Sequence, residues 1–274
     1  MRPVTRAAVV AAVSILLLVA CSPSGEGASP SGRGATSPPP TTAMSSASPA
    51  PSAACAPTTV AIDPGHNPVP IDDFDPVTGV AEIDYPNGAE DRDVFAVAEQ
   101  VRDMLVGFGY RVILLKRAVG ESVTYRQRVQ RAAGATIAVS IHTSPGVNAV
   151  FAQRVGLYRE GTGADGRQLR VTFTNRATAA RSERYAHAVA EQRTRIEGHP
   201  VAVRDNDFGG RAPLWSGNIP VIALIADTVP WVYNEFGTPD AGGSTGLPRA
   251  RLDAYARGLV AGVRSAVPVC VTSR

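Results

Sequence analysis

Between Ser22 and Ala54 the chain has no Val, Leu, Ile, Phe, Tyr or Trp. Such a stretch cannot bury enough apolar surface to offset the entropy of ordering it, which excludes a packed domain there. Its Ser, Pro, Gly, Ala and Thr make it an extended but flexible tether. No repeat of 20–50 residues is present, which excludes a solenoid. Lysine is almost missing: Lys116 is the only one, so the positive charge is nearly all arginine. The formal net charge is +3, and Arg2 and Arg6 carry two of those charges, leaving +1 for the remainder. So even a balance argues against a nucleic-acid partner.

What precedes the tether is apolar. Arg2 and Arg6 lead into the run Ala7 to Ala20, too short and wrongly flanked for a membrane-spanning helix, and residues 1–20 read as a secretory signal peptide. The run closes on Leu18-Val19-Ala20-Cys21, which resembles the bacterial lipobox, where cleavage precedes a cysteine that then carries lipid. The expectation is a chain lipidated at Cys21, tethered through residues 21–57 and anchored to the outer face of a membrane. The other two cysteines, Cys55 and Cys270, bracket the rest of the sequence. In an oxidising, exported setting a disulfide between them is expected, with two free thiols as the alternative.

One folded domain remains, residues 58–270, in a chain whose 44% hydrophobic composition is ordinary for a globular protein. Short apolar runs rich in β-branched residues predict strands at Thr58–Ile62, Tyr110–Leu115, Thr136–Ile141, Val155–Tyr158 and Val221–Ile225. Helical periodicity marks Asp91–Val106, Ser122–Ala133, Ser182–Ile196 and Arg251–Val263. Alternation of this kind predicts an α/β fold with an open, mainly parallel sheet flanked by helices on both faces. The Pro- and Asp-rich stretch 67–89 reads as a long binding loop or lid.

Ligands of open α/β sheets gather beyond the carboxyl ends of the strands. Three metal-binding residue types fall there: His66 after the turn Asp63-Pro64-Gly65, Glu90 at a helix start, and His142 directly after Ile137–Ile141. Two imidazoles and a carboxylate are a ligand set of catalytic zinc, because three protein ligands leave the fourth tetrahedral position open. Glu82, Asp84, Asp91 and Asp93 are neighbouring carboxylates able to replace Glu90 in that set. His187 and His199 read as structural or exposed, and Trp215 and Trp231 as packing residues.

Taken in order, these segments resemble the zinc-dependent N-acetylmuramoyl-L-alanine amidases of the type 3 family. Ile62-Asp63-Pro64-Gly65-His66 looks like that family's DPGH turn. Glu90 opens a helix that leads to Gly109-Tyr110-Arg111-Val112, as the family's ligand glutamate does. Ser122-Val123-Thr124-Tyr125-Arg126 is similar to its Ser-Leu-x-x-Arg helix, and Ser140-Ile141-His142 to its Ser-Ile-His strand end. The resemblance implies zinc held by His66, Glu90 and His142, and hydrolysis of the amide joining N-acetylmuramic acid to L-alanine in peptidoglycan.

The family's catalytic glutamate ends a late strand of pattern Pro-x-x-Leu-x-Glu. Aligned on Pro220-Val221-Ile222-Ala223-Leu224-Ile225, that pattern puts isoleucine at the glutamate's place. Asp227, two residues on, is the expected acid/base residue, and Glu235 the second candidate. The same isoleucine favours a different reading, an inactive zinc- and peptidoglycan-binding pseudoamidase. A zinc peptidase acting on the stem peptide is a third.

Overall fold

The computed structural model describes residues 57–162, 165, 167–204, 221–237 and 245–269, all within one unit, Ser52–Arg274. The expected signal peptide, Cys21, Cys55, Cys270 and Trp215 lie outside the described residues. None of the described helices is long and apolar enough to cross a membrane.

The main sheet has six strands. β1 (Thr59–Pro64), β4 (Arg111–Leu114), β5 (Ile137–Thr143) and β10 (Trp231–Phe236) run parallel, while β6 (Ala149–Ala152) runs antiparallel to β10 and carries β9 (Ala202–Val203) at the edge. Their spatial order is β4-β1-β5-β10-β6-β9. Two hairpins stand apart, β2 (Ile71–Phe74) with β3 (Ala81–Asp84), and β7 (Gly156–Thr162) with β8 (Gln168–Phe173). The helices are α1 (Glu90–Gly107), α2 (Tyr125–Arg131), α3 (Arg176–Glu197), α4 (Val221–Ile225) and α5 (Arg249–Ala266).

Helices cover both faces of the sheet, as the alternating pattern predicts. On one side, Val60, Ile62, Val139 and Ile141 pack with α1, α3 and α5 through Val97, Val101, Val189 and Leu259. On the other, Ala61, Ala138 and Trp231 meet α4 and the flank of α2. Trp231 is fully buried, which makes it a packing residue. α5 approaches α3 so closely that a Cβ on Gly262 would lie 2.7 Å from Val189 Cα.

One expected strand forms outside the main sheet, and one does not form. Val155–Tyr158 becomes β7, outside the main sheet. Val221–Ile225 is the helix α4: short apolar runs carry no periodicity that separates a buried helix from a buried strand. Its carbonyl end is satisfied by Gln153, whose Nε2 donates to the carbonyls of Ala223 (3.0 Å) and Ala226 (2.6 Å). Gln153 Oε1 accepts from the Trp231 N–H at 2.9 Å, so the same side chain starts β10. The strand beside β5 is therefore β10, in a segment where no strand was expected. The stretch 67–89 likewise contains the hairpin β2–β3, tied to α2 by a two-pronged bond from Arg126 to Asp75 (2.6 and 2.7 Å).

Candidate metal centre

The centre grows from the turn after β1. Arg128 of α2, 1% exposed, donates to Asp63 Oδ1 (2.6 Å), to the carbonyls of Pro64 (2.6 Å) and His66 (2.8 Å), and to Asn67 Oδ1 (3.0 Å). Lys116, the sole lysine, is fully buried and donates to the same His66 carbonyl at 2.9 Å. These bonds hold His66 at φ 61°, a left-handed conformation that a non-glycine residue keeps only when its surroundings impose it. Asp63 is in turn bonded by Ser140 Oγ (2.6 Å), which accepts from Trp231 Nε1 (2.7 Å), linking β1, β5 and β10.

His66, Glu90 and His142 meet at the carboxyl edge of the sheet, with one ligand atom from each lying within 4.8 Å of the others. Nε2 of His66 is 3.2 Å from Glu90 Oε2, and Nδ1 of His142 is 3.5 Å from Glu90 Oε1. Metal–ligand bonds of about 2.1 Å in a tetrahedron separate ligand atoms by roughly 3.4 Å. The donor set and its spacing thus fit zinc, and the group is able to hold a metal ion. Glu90 is further fixed by the Thr143 N–H at 2.7 Å and by Asn87 Nδ2. The neighbouring carboxylates do not join the group: Asp91 accepts from the Asn87 N–H, Asp93 from the Leu247 N–H, and Glu82 from the Arg126 N–H.

The charges complement one another. Burial lowers the His66 imidazole, but bonds to Asp84 and Glu90 outweigh it and raise the group to about 10. Burial raises Glu90, but bonds from His142 and His66 outweigh it and hold the carboxyl at about 2. His142 is lowered, chiefly by burial. Its ring stacks on Tyr233, centroids 4.4 Å apart, and Gly65 approaches its other side from β1. From α5, the Tyr255 hydroxyl lies 3.2 Å from the His142 carbonyl and 3.3 Å from that of Asn234, spanning the ends of β5 and β10. The centre opens into a cavity of about 260 Å³ walled by Tyr85, Pro86, Asn87, Tyr125 and Tyr233.

Asp227 is not brought to this group. β10 starts opposite Ala138 and brings Glu235 opposite His142 near its other end, so Asp227 stands before the wrong end of the strand. It is exposed, and its backbone carbonyl accepts from Asn175 Nδ2 (3.0 Å). Ile225 is also absent from the site, buried in α4. Ile225 therefore does not bear on the chemistry of the group. Glu235 is the carboxylate placed on the face of His142, one strand away. It is 2% exposed, and its Oε2 has no hydrogen-bond partner among the described residues. Burial, with Glu90's charge adding to it, raises its carboxyl well above the ordinary range. The backbone of Glu235 is held by Arg193, which donates to its carbonyl at 3.0 Å. The signal for Glu235 was present: Pro230-Trp231-Val232-Tyr233-Asn234-Glu235 fits Pro-x-x-Leu-x-Glu, with tyrosine for leucine. His187 is exposed on α3, and His199 contacts Asn148, both away from the centre.

No protein-family model matches the sequence, and no curated protein matches it either. Solved structures do match in fold. The catalytic domain of CwlV, an N-acetylmuramoyl-L-alanine amidase from Bacillus (Paenibacillus) polymyxa var. colistinus, is 17% identical, with a TM-score of 0.51 over 78% of this chain and 99% of its own. The N-acetylmuramyl-L-alanine amidase Ami1 of Mycobacterium smegmatis is 17% identical, with a TM-score of 0.52 over 76% and 96%. The apo form of Ami1 from Mycobacterium abscessus gives 15% and 0.51 over 77% and 98%. The described domain shares the α/β fold of these catalytic domains.

Proposed function

We propose that this protein is a zinc-dependent N-acetylmuramoyl-L-alanine amidase of the cell envelope, cutting peptidoglycan between N-acetylmuramic acid and the L-alanine of the stem peptide. The observation that carries the reading is the His66, Glu90, His142 group with Glu235 across from His142 on the next strand. The likeness in fold to amidase catalytic domains supports it. Export, lipid attachment at Cys21 and a clasp between Cys55 and Cys270 belong to the same reading, with residues 21–57 giving reach towards the wall.

His66, Glu90 and His142 hold the zinc, which when bound supplies a Lewis-acidic position that activates water and polarises a carbonyl. Glu235 is the acid/base residue in place of Asp227. It takes the proton of the attacking water and delivers it to the alanine nitrogen as the amide breaks. Asn87, Tyr85, Tyr125 and Tyr233 border the cavity that receives the scissile amide.

Mass spectrometry of purified peptidoglycan, incubated with the zinc-loaded full chain and with His142→Ala, tests the reading. Free stem peptides beginning at L-alanine, absent with the variant, are expected. Cuts within the stem peptide would make it a peptidase, and an untouched wall beside an active amidase control would leave a binding module.

A further inference from the structure

One buried carboxylate beside the centre has no part in the proposed reaction. Asp84, 6% exposed, ends β3, and its Oδ1 is 3.3 Å from Nδ1 of His66. Glu90 meets the other ring nitrogen, Nε2, at 3.2 Å. The two nitrogens of an imidazole point away from each other, so a carboxylate at Nδ1 cannot share an ion that faces Nε2. Asp84 accordingly stands outside the ligand group. The buried Nδ1 of His66 has no aligned hydrogen bond among the described residues, and Asp84 Oδ1, at 3.3 Å, is the acceptor set beside it.

The other oxygen of Asp84 is fixed from behind. Oδ2 accepts from Asn67 Nδ2 at 2.8 Å and lies 3.6 Å from Arg128 Nη2, the same nitrogen that binds the His66 carbonyl. The carboxylate of Asp84 and the backbone of His66 thus face one buried guanidinium. The hairpin that delivers Asp84 is anchored to the same helix by Arg126, through Asp75 and through the bond from its N–H to Glu82.

We infer that Asp84 is a positioning residue of the metal centre: its carboxylate accepts the Nδ1 proton of His66, fixes the tautomer whose bare Nε2 faces Glu90, and so sets the affinity for zinc. The inference rests on the zinc reading above. A neutral imidazole has one donor and one acceptor nitrogen, and the partner of the donor decides which nitrogen is left for a metal. The hairpin inserted between His66 and Glu90 then serves the centre by supporting a ligand.

Chelator competition at one pH measures the zinc Kd of the full chain, of Asp84→Asn and of Asp84→Glu. Asp84→Asn is expected to weaken zinc about 10–100-fold and Asp84→Glu, which keeps the carboxylate, by less. NMR of the zinc-loaded proteins should show a strongly downfield Nδ1 proton on His66 in the wild type that moves upfield in Asp84→Asn. A purely structural role would lower the melting temperature of metal-free Asp84→Asn while leaving both the Kd and that proton in place. That result, or a Kd within twofold of wild type, overturns the inference. A wild type that does not bind zinc overturns the metal centre itself.

Discussion

Adding one methyl group at Gly65 should dismantle the centre while sparing the sheet. Gly65 needs no left-handed backbone; it needs space. A Cβ there would lie 2.2 Å from Cε1, 2.5 Å from Nδ1 and 2.6 Å from Nε2 of His142, over the face of the ring. Ordinary contact between such atoms is about 3.5 Å, so the ring must retreat by about 1 Å. It has no room to do so, because Tyr233 stacks on its far side at 4.4 Å and Glu90 faces its Nδ1. The backbone is equally committed, since the Gly65 N–H donates to the Ile141 carbonyl at 3.0 Å. Overpacking of this kind costs about 1–3 kcal/mol of stability. A displacement of about 1 Å at a reacting group costs on the order of 100-fold in rate. Gly65→Ala should therefore fold, melt a few degrees lower, and lose zinc affinity and peptidoglycan cleavage together. Calorimetric zinc titration beside thermal melting measures both. A variant with wild-type zinc affinity and activity within threefold would refute the geometry of His142.

Exchanging the two candidate carboxylates separates their roles. Glu235→Gln should retain zinc and lose activity by about 10²–10⁴-fold, whereas Asp227→Asn should stay within twofold, and the reverse pattern would restore Asp227 as the acid/base residue. In the metal-free protein His66 is raised from 6.5 to about 10, so its contribution to stability is full below pH 6.5 and fades as pH rises towards 10. Glu90, lowered from 4.5 to about 2, contributes fully above pH 4.5 and loses that contribution as pH falls towards 2. Melting scans should accordingly place the stability contributed by this pair on a plateau between those limits, and a midpoint still rising from pH 7 to 10 would contradict the assignment. Zinc uptake at pH 7.5 must displace the His66 proton, so titrations in buffers of different ionisation enthalpy should show release of about one proton. Arg193→Met leaves the Glu197 side chain, 1% exposed, without its 2.6 Å partner; urea unfolding should show a loss of about 3–5 kcal/mol, and a loss below about 1 kcal/mol would refute that burial.

The first half of the centre was legible in the sequence because it sits where local signals are strong. β1 and β5 are mainly apolar runs, with His66 two residues past the end of β1 and His142 at the next-to-last position of β5, and α1 has a clean helical stripe beginning beside Glu90. The second half was obscured by one misplaced element. Val221–Ile225 is more apolar than Trp231–Phe236, so hydropathy alone nominates it as the late strand. The true strand carries Asn234 and Glu235 just before its end, polar residues whose burial depends on partners far away in sequence. Arg193 of α3 bonds to Asn234 Oδ1 and to the Glu235 carbonyl, and Asn234 Nδ2 donates to the Ser140 carbonyl. Local pattern cannot anticipate a guanidinium arriving from 42 residues upstream. The same limit hid Asp84, whose partner His66 lies on the other side of a hairpin.

The hydroxyl of Tyr255 between the ends of β5 and β10 imposes an order in time. The strands that carry His142 and Glu235 are complete by Phe236, yet the group that bridges them belongs to α5, which follows them in the chain. A nascent polypeptide can thus form most of its sheet and still lack a finished centre. Assembly of the site waits for α5 to be synthesised and docked, so a chain cut short before Arg249 would have its ligands but not the brace that aligns them.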